Sequence, residues 1–295
     1  MGLIHYCRQK CPAVPLVRAD LTDLVRSNLL WILTGLLVVL VLANWAADPT
    51  MIDASSQSFL LVLLQFTHWL PLFAIVIGYD AVVRLRESGR VRLLLGQPTT
   101  RRSLVIQAFL ARVIAFLAVL SAAILVVLVL VVTQTGSVGV LEFVAGVGSV
   151  ALYGLAWLGA TVGVSAMAAS GRQVIGVMLI AYTLLLALWE PFVARVLALA
   201  VTGSGELGGL IEFADPAVVT YAEGATWFLY AFRLGPAEAF TGTVFYSYEV
   251  LQAVVSGSSV AVPHGPNLFG VGVLLAWLAL PLLVGSWWFQ RVDLE

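Results

Sequence analysis

The chain has 295 residues, of which 61% are hydrophobic and only 11% are charged, and its formal net charge is -1. A soluble domain needs a polar shell that this composition cannot supply, whereas helices in lipid are apolar on all sides. The composition therefore excludes an ordinary soluble protein and predicts an all-α protein that crosses a membrane several times.

Residues 1–27 are predicted to form a cytoplasmic tail that ends in an interfacial helix. In the segment 16–27, LVRADLTDLVRS, apolar side chains recur at helical spacing with charged residues between them. That pattern is typical of an amphipathic helix lying on the membrane surface, and a solvated cytoplasmic helix is the alternative. Cys7, Cys11 and His5 precede it and could supply three metal ligands. A fourth ligand is missing nearby, so no metal site is expected.

Six apolar stretches follow, each near the roughly 20 residues that a helix needs to cross the hydrocarbon core. Pro71 is expected to kink the second, because its ring removes one helical hydrogen bond. In the fourth, the spacing of Gly159 and Gly163 predicts a face of close helix contact, within one chain or between two. The predicted spans, all in one domain covering 28–289, are 28–47, 59–79, 104–132, 141–169, 173–190 and 268–289.

The basic residues decide the orientation of these spans. With both termini in the cytoplasm, every basic residue except Arg195 and Arg233 falls on the cytoplasmic side, as the positive-inside rule requires. Arg112 begins about two turns into the third span and is expected to extend its side chain to the membrane edge. The C-terminal residues 290–295 are then cytoplasmic as well.

The long connection from 202 to 266 is predicted to be external. Apart from Arg233, its charged residues are all acidic, and this polarity argues against a seventh crossing. Its aromatic residues favour contact with the membrane interface or with an external accessory protein. These residues are Trp227, Phe228, Tyr230 and Phe232.

Several classes of enzyme and binding site lack their essential residues. The sequence has no GxxxxGK[ST] phosphate loop and no HExxH motif, so neither ATP hydrolysis through that loop nor metal-dependent proteolysis is expected of this chain. We expect no cofactor bound by this chain and no nucleic-acid partner. Gln65 and His68 lie inside the second span and are either contacts for a translocated substrate or partners in hydrogen bonds between helices.

The most basic segment is the connector between the second and third spans, residues 80–103. Its arginines alternate with apolar residues, Gly89 interrupts it, and Gly96-Gln97-Pro98 ends it before the third span. A broken, basic, amphipathic connector of this kind binds anionic membrane lipids or docks into a soluble partner.

The run GYDAVVRLRESGRVRLLLGQPTTRRSLVIQAFLAR, which starts at Gly78, resembles the same region of ABC transporter permeases of the type 2 exporter class. Within that class it resembles the permease of the nitrous oxide reductase maturation transporter and the relatives of that permease. It departs from the pattern at Arg84-Leu85, where Gly-Glu is common, at Arg90, where Thr is usual, and at Gln107-Ala108, where Gly-Lys is common. The matching positions are Gly78, Asp80, Ala81, Glu87, Gly89, Leu93, Leu94, Leu95, Pro98 and Arg101.

The resemblance implies that the connector forms a coupling helix seated in a cleft of a separate ABC ATPase, which binds ATP and Mg. It also implies a second copy of the permease, or a related permease, and no enzymatic activity in this chain. The expected function is a permease subunit that exports a substrate or transmits work to an external partner; the alternative is a non-transporting membrane assembly or scaffold protein with a basic docking connector. The residues expected to couple to the ATPase are Asp80, Arg86, Glu87, Gly89, Leu93, Leu94, Pro98 and Arg101.

Overall fold

The computed structural model describes residues 22, 28–47, 57–87, 100–189, 192, 195–205, 226–260 and 264–291. Every regular element in these ranges is a helix, so the predicted all-α fold is confirmed. The helices are α1 Leu29–Ala47, α2 Ser58–Leu63, α3 Phe66–Gly78, α4 Val83–Glu87, α5 Arg101–Thr135, α6 Val140–Met167, α7 Gly171–Tyr182, α8 Arg195–Thr202, α9 Thr226–Phe232, α10 Pro236–Ser256 and α11 His264–Arg291.

Five stretches of the described residues are long and apolar enough to cross a membrane: α1, α3 with α4, α5, α6 and α11. They correspond to the first four predicted spans and to the last. The fifth predicted span corresponds to α7, which has 12 residues and continues as a π-helix of 5 residues, Thr183–Ala187. This stretch is shorter than the other five. Apart from Thr22, the predicted interfacial helix at 16–27 lies outside the described residues.

The helix α6 lies at the centre of the bundle and presents a glycine face to α11. A Cβ atom added to Gly163 would lie 2.3 Å from the backbone of Pro281, and one added to Gly159 would lie 2.5 Å from the carbonyl oxygen of Leu278. The predicted close-contact face is therefore confirmed, and its partner is a helix of the same chain. Backbones approach this closely only where side chains are absent.

The second predicted span, 59–79, contains two helices instead of one, and a third helix follows within the predicted connector. α2 is followed by a turn at Leu64 and Gln65, and α3 is followed by a turn that leads into α4. The kink was expected at Pro71, but the break lies before the proline and α3 continues through it. Because Pro71 has no N–H, the carbonyl of Thr67 lacks its helical donor, and the hydroxyl of Tyr153 in α6 donates to it at 2.8 Å.

α6 also caps the first of these helices. The carboxylate of Glu142 accepts a hydrogen bond from the backbone N–H of Phe59 at 2.9 Å, in the first turn of α2. The first amides of a helix have no partner inside the helix, and a negative charge at that end is favourable. Glu142 is buried, so this bond forms away from water, where an unpaired amide is costly.

The segment predicted as an external connection contains helix as well as loop. α10 has 21 residues, with Pro236 at its start and Gly257 in the left-handed conformation just after it, which are ordinary helix boundaries. It packs against α6 and α11, and the rings of Phe240 and Tyr153 stack with their centroids 4.5 Å apart. The acidic residues of the segment indicated a loop, so this helix and its apolar face were not predicted.

Two residues that precede α10, one in α9 and one just after it, are more buried than expected. Phe228, expected to face the interface or a partner, is buried, while its neighbour Trp227 is exposed as expected. Arg233 is buried against Gly242, where an added Cβ would lie 3.0 Å from the guanidinium. Burial lowers the pKa of Arg233 to about 10, so its side chain remains charged at neutral pH.

Replacing Gly163 by alanine is expected to destabilise the protein by about 1–3 kcal/mol, because the new methyl group would overlap the backbone of α11. The matched control is Gly148→Ala in the same helix, where nothing lies within 4 Å. That change is expected to be neutral or to stabilise by up to about 1 kcal/mol. Unfolding of both variants by SDS in mixed micelles measures the difference, and equal stabilities would contradict the contact.

Candidate functional site

One end of the bundle gathers most of the positive charge, and we call it the junction end. It contains α4, the start of α5, the end of α6 and the end of α11. Of the arginines in the described ranges, only Arg195 and Arg233 lie elsewhere. The arginines at or near the junction end are Arg84, Arg86, Arg101, Arg102, Arg112, Arg172 and Arg291.

Ser165, near the end of α6, caps the start of α4. Its Oγ accepts hydrogen bonds from the backbone N–H groups of Val82 and Val83, at 3.1 and 3.2 Å. These amides open a new helix after a turn, so they have no partner in the preceding helix. The connector is therefore attached to α6 through its first turn.

Arg86 makes a second attachment between α4 and α6. Its guanidinium donates to the backbone carbonyl of Ala168 at 2.9 Å and also to the carbonyl of Ala166. These carbonyls lie at the C-terminal end of α6, where a positive charge interacts favourably with the helix dipole. The same guanidinium lies 4.7 Å from the centre of the Phe289 ring, within the range of a cation–π contact.

Arg101 brings the other end of the connector to the same place. It opens α5, and its guanidinium donates to the backbone carbonyls of Gln290 at 3.2 Å and Phe289 at 3.4 Å, in the last turn of α11. The Phe289 side chain is fully buried. Arg86 near the start of the connector and Arg101 near its end therefore contact one residue of α11.

Asp80 joins α5 to the turn before α4. Its carboxylate lies 3.1 Å from Nη2 of Arg112 and 3.8 Å from Nη1 of Arg84. The Arg112 side chain is only 1% exposed, so the prediction that it extends to the membrane edge was wrong. A carboxylate from the neighbouring span offers the guanidinium a partner inside the bundle, so it does not have to reach water.

Of the residues predicted to couple to an ATPase, the structure brings Arg86 and Arg101 together at Phe289. Asp80 lies at the same end, paired with Arg112 and Arg84. Glu87 is exposed at the end of α4. The other four predicted coupling residues, Gly89, Leu93, Leu94 and Pro98, lie outside the described residues.

Sequence reasoning missed two residues of this site. A hydroxyl inside an apolar span was a usable signal for Ser165. Phe289 gave no signal, because an aromatic residue near the end of a span is ordinary.

Gln65 and His68, the candidate translocation residues, lie away from the junction end, about 15 Å along α3 from Gly78 in the case of His68. Gln65 is half-buried in the turn before α3, and the ring of His68 is exposed. The contact between helices at this point involves the main chain of His68, whose carbonyl accepts from the hydroxyl of Tyr182 in α7 at 3.2 Å. The His68 ring itself has no hydrogen-bond partner among the described residues.

Replacing Asp80 by asparagine is expected to cost about 3 kcal/mol of stability, because it leaves the charge of Arg112 buried without its carboxylate. Arg84→Gln is the matched control: the Arg84 side chain is 53% exposed, so the loss should stay below about 1 kcal/mol. The double change of Asp80→Asn with Arg112→Met should recover part of the loss. Denaturation of the purified variants checks this, and equal effects of the two single changes would refute the buried pair.

Comparisons with known proteins cover almost the whole chain. The sequence profile described as "ABC-2 family transporter protein" matches residues 14–294, which include the membrane-length helices and the junction end. A search of curated proteins finds no match to the chain. The similarity to the permease of the nitrous oxide reductase maturation transporter therefore stays a prediction. Since the family profile spans far more than half of the sequence, the chain belongs to the ABC-2 family of transporter proteins.

Proposed function

We propose that this multi-pass membrane permease is driven by a separate ABC ATPase, which binds ATP and Mg and docks on the connector 80–103. In this proposal the junction end faces the cytoplasm, as do both termini. The concentration of arginines at that end supports the orientation, because basic residues are retained on the cytoplasmic side.

The observation that carries the proposal is that residues near both ends of the connector contact Phe289. Arg86 lies over its ring and Arg101 donates to its carbonyl. A displacement of the connector would therefore reach the end of α11 from both sides. A force applied at the cytoplasmic surface would enter the membrane through α11.

The same displacement would also reach α6, through the bonds of Ser165 and Arg86. Since α6 and α11 are in backbone contact at Gly163, the two helices are suited to move as one unit. Packed helices of this kind move between discrete arrangements relative to their neighbours and do not deform continuously. An ATPase that binds one arrangement of the connector better than another would shift the population of the permease states.

The residues of the connector divide into two proposed roles. Arg86, Asp80 and Arg101 attach it to the bundle and pass on force. Exposed Glu87, with Gly89, Leu93, Leu94 and Pro98, forms the docking segment proper.

The position of His68 supports a second permease copy, or a related permease, as a further partner. Its imidazole is exposed about halfway along the broken second span. A polar ring facing lipid at that depth is unfavourable, whereas a ring facing a water-filled path or another subunit is not. We propose that the surface formed by α3 and α7 around His68 meets the second subunit, with Gln65 and His68 beside the translocation path.

Arg86→Gln is expected to leave docking of the ATPase intact but to reduce the permease-dependent stimulation of ATP hydrolysis several-fold. The neutral side chain loses the charge-assisted bonds to the end of α6 and the contact with Phe289. The complex reconstituted in lipid gives both readouts, namely copurification of the ATPase and its hydrolysis rate with and without the permease.

Arg172→Gln is the matched control, since Arg172 is an exposed arginine at the same end, outside the connector. It should keep both docking and stimulation at the level of the unchanged protein. Full stimulation in a folded Arg86→Gln variant would contradict the proposed path of force.

A further inference from the structure

A groove of about 260 Å³ lies between α5 and α11 at the junction end. Apart from Arg102 and Ser286, its lining is apolar and comes from both helices. The apolar walls are formed by Val105, Ile106, Phe109, Leu278, Leu282 and Leu283. The small, exposed side chain of Ala279 also lines the groove.

A single charged residue, Arg102, lines this groove. It is exposed in the first turn of α5 and has no ion pair or hydrogen bond with any residue that the structure describes. Phe109 lies about 10 Å further along the helix, at a rise of 1.5 Å per residue. The groove therefore has a positive charge at one end and apolar walls extending into the membrane span.

Nearby aromatic residues place the mouth of the groove at the level of the lipid headgroups. Trp287 and Trp288, in the last turns of α11, are about half exposed. The guanidinium of Arg291 lies 3.8 Å from the centre of the Trp287 ring. Tryptophan and arginine at the end of a span are typical of the boundary between headgroups and acyl chains. Arg102 is thus at headgroup depth, and Phe109 is at acyl-chain depth.

We propose that this groove binds one anionic phospholipid, with its phosphate on Arg102 and an acyl chain along the apolar walls. A guanidinium is well suited to phosphate oxygens, which it binds with two parallel N–H donors. Burying an acyl chain between Ile106 and Leu283, which are 47% and 51% exposed without it, removes apolar surface from contact with mobile lipid. A lipid supplies both parts of the site, a phosphate for Arg102 and an acyl chain for the walls, whereas an apolar helix from a second copy would cover the walls alone.

The site is distinct from the proposed docking segment of the connector. Its assignment to the cytoplasmic leaflet rests on the proposed orientation of the permease, but the preference for an anionic lipid does not. Anionic lipids are concentrated in that leaflet, where the attraction is worth about one kcal/mol per basic residue, or roughly fivefold in affinity.

Native mass spectrometry of the full-length protein tests this site, using equal amounts of phosphatidylglycerol and phosphatidylcholine with the same acyl chains. The unchanged protein should retain more phosphatidylglycerol. Arg102→Gln should lower that retention about fivefold. It should lower the retention of phosphatidylcholine less, because the choline ammonium already neutralises the phosphate of that lipid. Arg172→Gln, which removes an exposed arginine at the same end but away from the groove, should change neither lipid.

A second pair of variants tests the apolar part of the site. Ala279→Phe fills the groove from an exposed position and should reduce the retention of both lipids. Leu275→Phe, at an exposed position of the same helix outside the groove, should retain them normally. Because these side chains are exposed, both variants should fold. Elution from a size-exclusion column at the volume of the unchanged protein checks this.

Unchanged selectivity for phosphatidylglycerol in folded Arg102→Gln would overturn the proposal. So would a shift of Ala279→Phe from dimer to monomer with lipid retention intact, since that result assigns the groove to a second copy of the chain. Neither outcome depends on the ATPase, so this site can fail while the proposed function stands.

Discussion

The fold depends on satisfying backbone groups that a broken helix leaves unpaired in apolar surroundings. In the absence of water each such group is costly, so helices cross membranes unbroken unless a neighbour supplies partners. α6 supplies a partner at three levels of the second span and the helix after it: at the first turn of α2, opposite Pro71, and at the start of α4. Glu142 accepts from Phe59, Tyr153 donates to Thr67, and Ser165 accepts from Val82 and Val83. These bonds fix the register of α6 against the second span.

This arrangement explains why the junction end is suited to transmit force. The connector begins at a helix whose first amides are held by α6, and it returns to the membrane at Arg101, which is held by α11. α6 and α11 are themselves joined where glycines bring their backbones into contact. The connector, α6 and α11 are therefore one mechanical unit, although they are far apart in sequence. In the proposed function, this unit carries the work of the ATPase into the membrane.

Local sequence patterns, namely the lengths of apolar runs and the spacing of glycines, were sufficient to predict most of the fold. Apolar run lengths gave five of the spans, and the glycine spacing gave the face between α6 and α11. Partners distant in sequence were not predictable, because no local pattern indicates that Asp80 meets Arg112 or that Arg86 meets Phe289. α10 was missed for another reason: its charges indicated a loop, whereas one face of the helix carries the buried Phe240, Val244 and Phe245.

The measurement that tests the account most directly is crosslinking from the connector in native membranes. A photoreactive amino acid at Glu87, which is exposed beside the attachment points, should yield a covalent adduct with a soluble ABC ATPase, identified by mass spectrometry. The same amino acid at Val254, exposed on α10 with no role in the junction, should not yield it. Efficient crosslinking at 87 to other proteins or to lipid, with the ATPase present but unlabelled, would contradict docking at the connector.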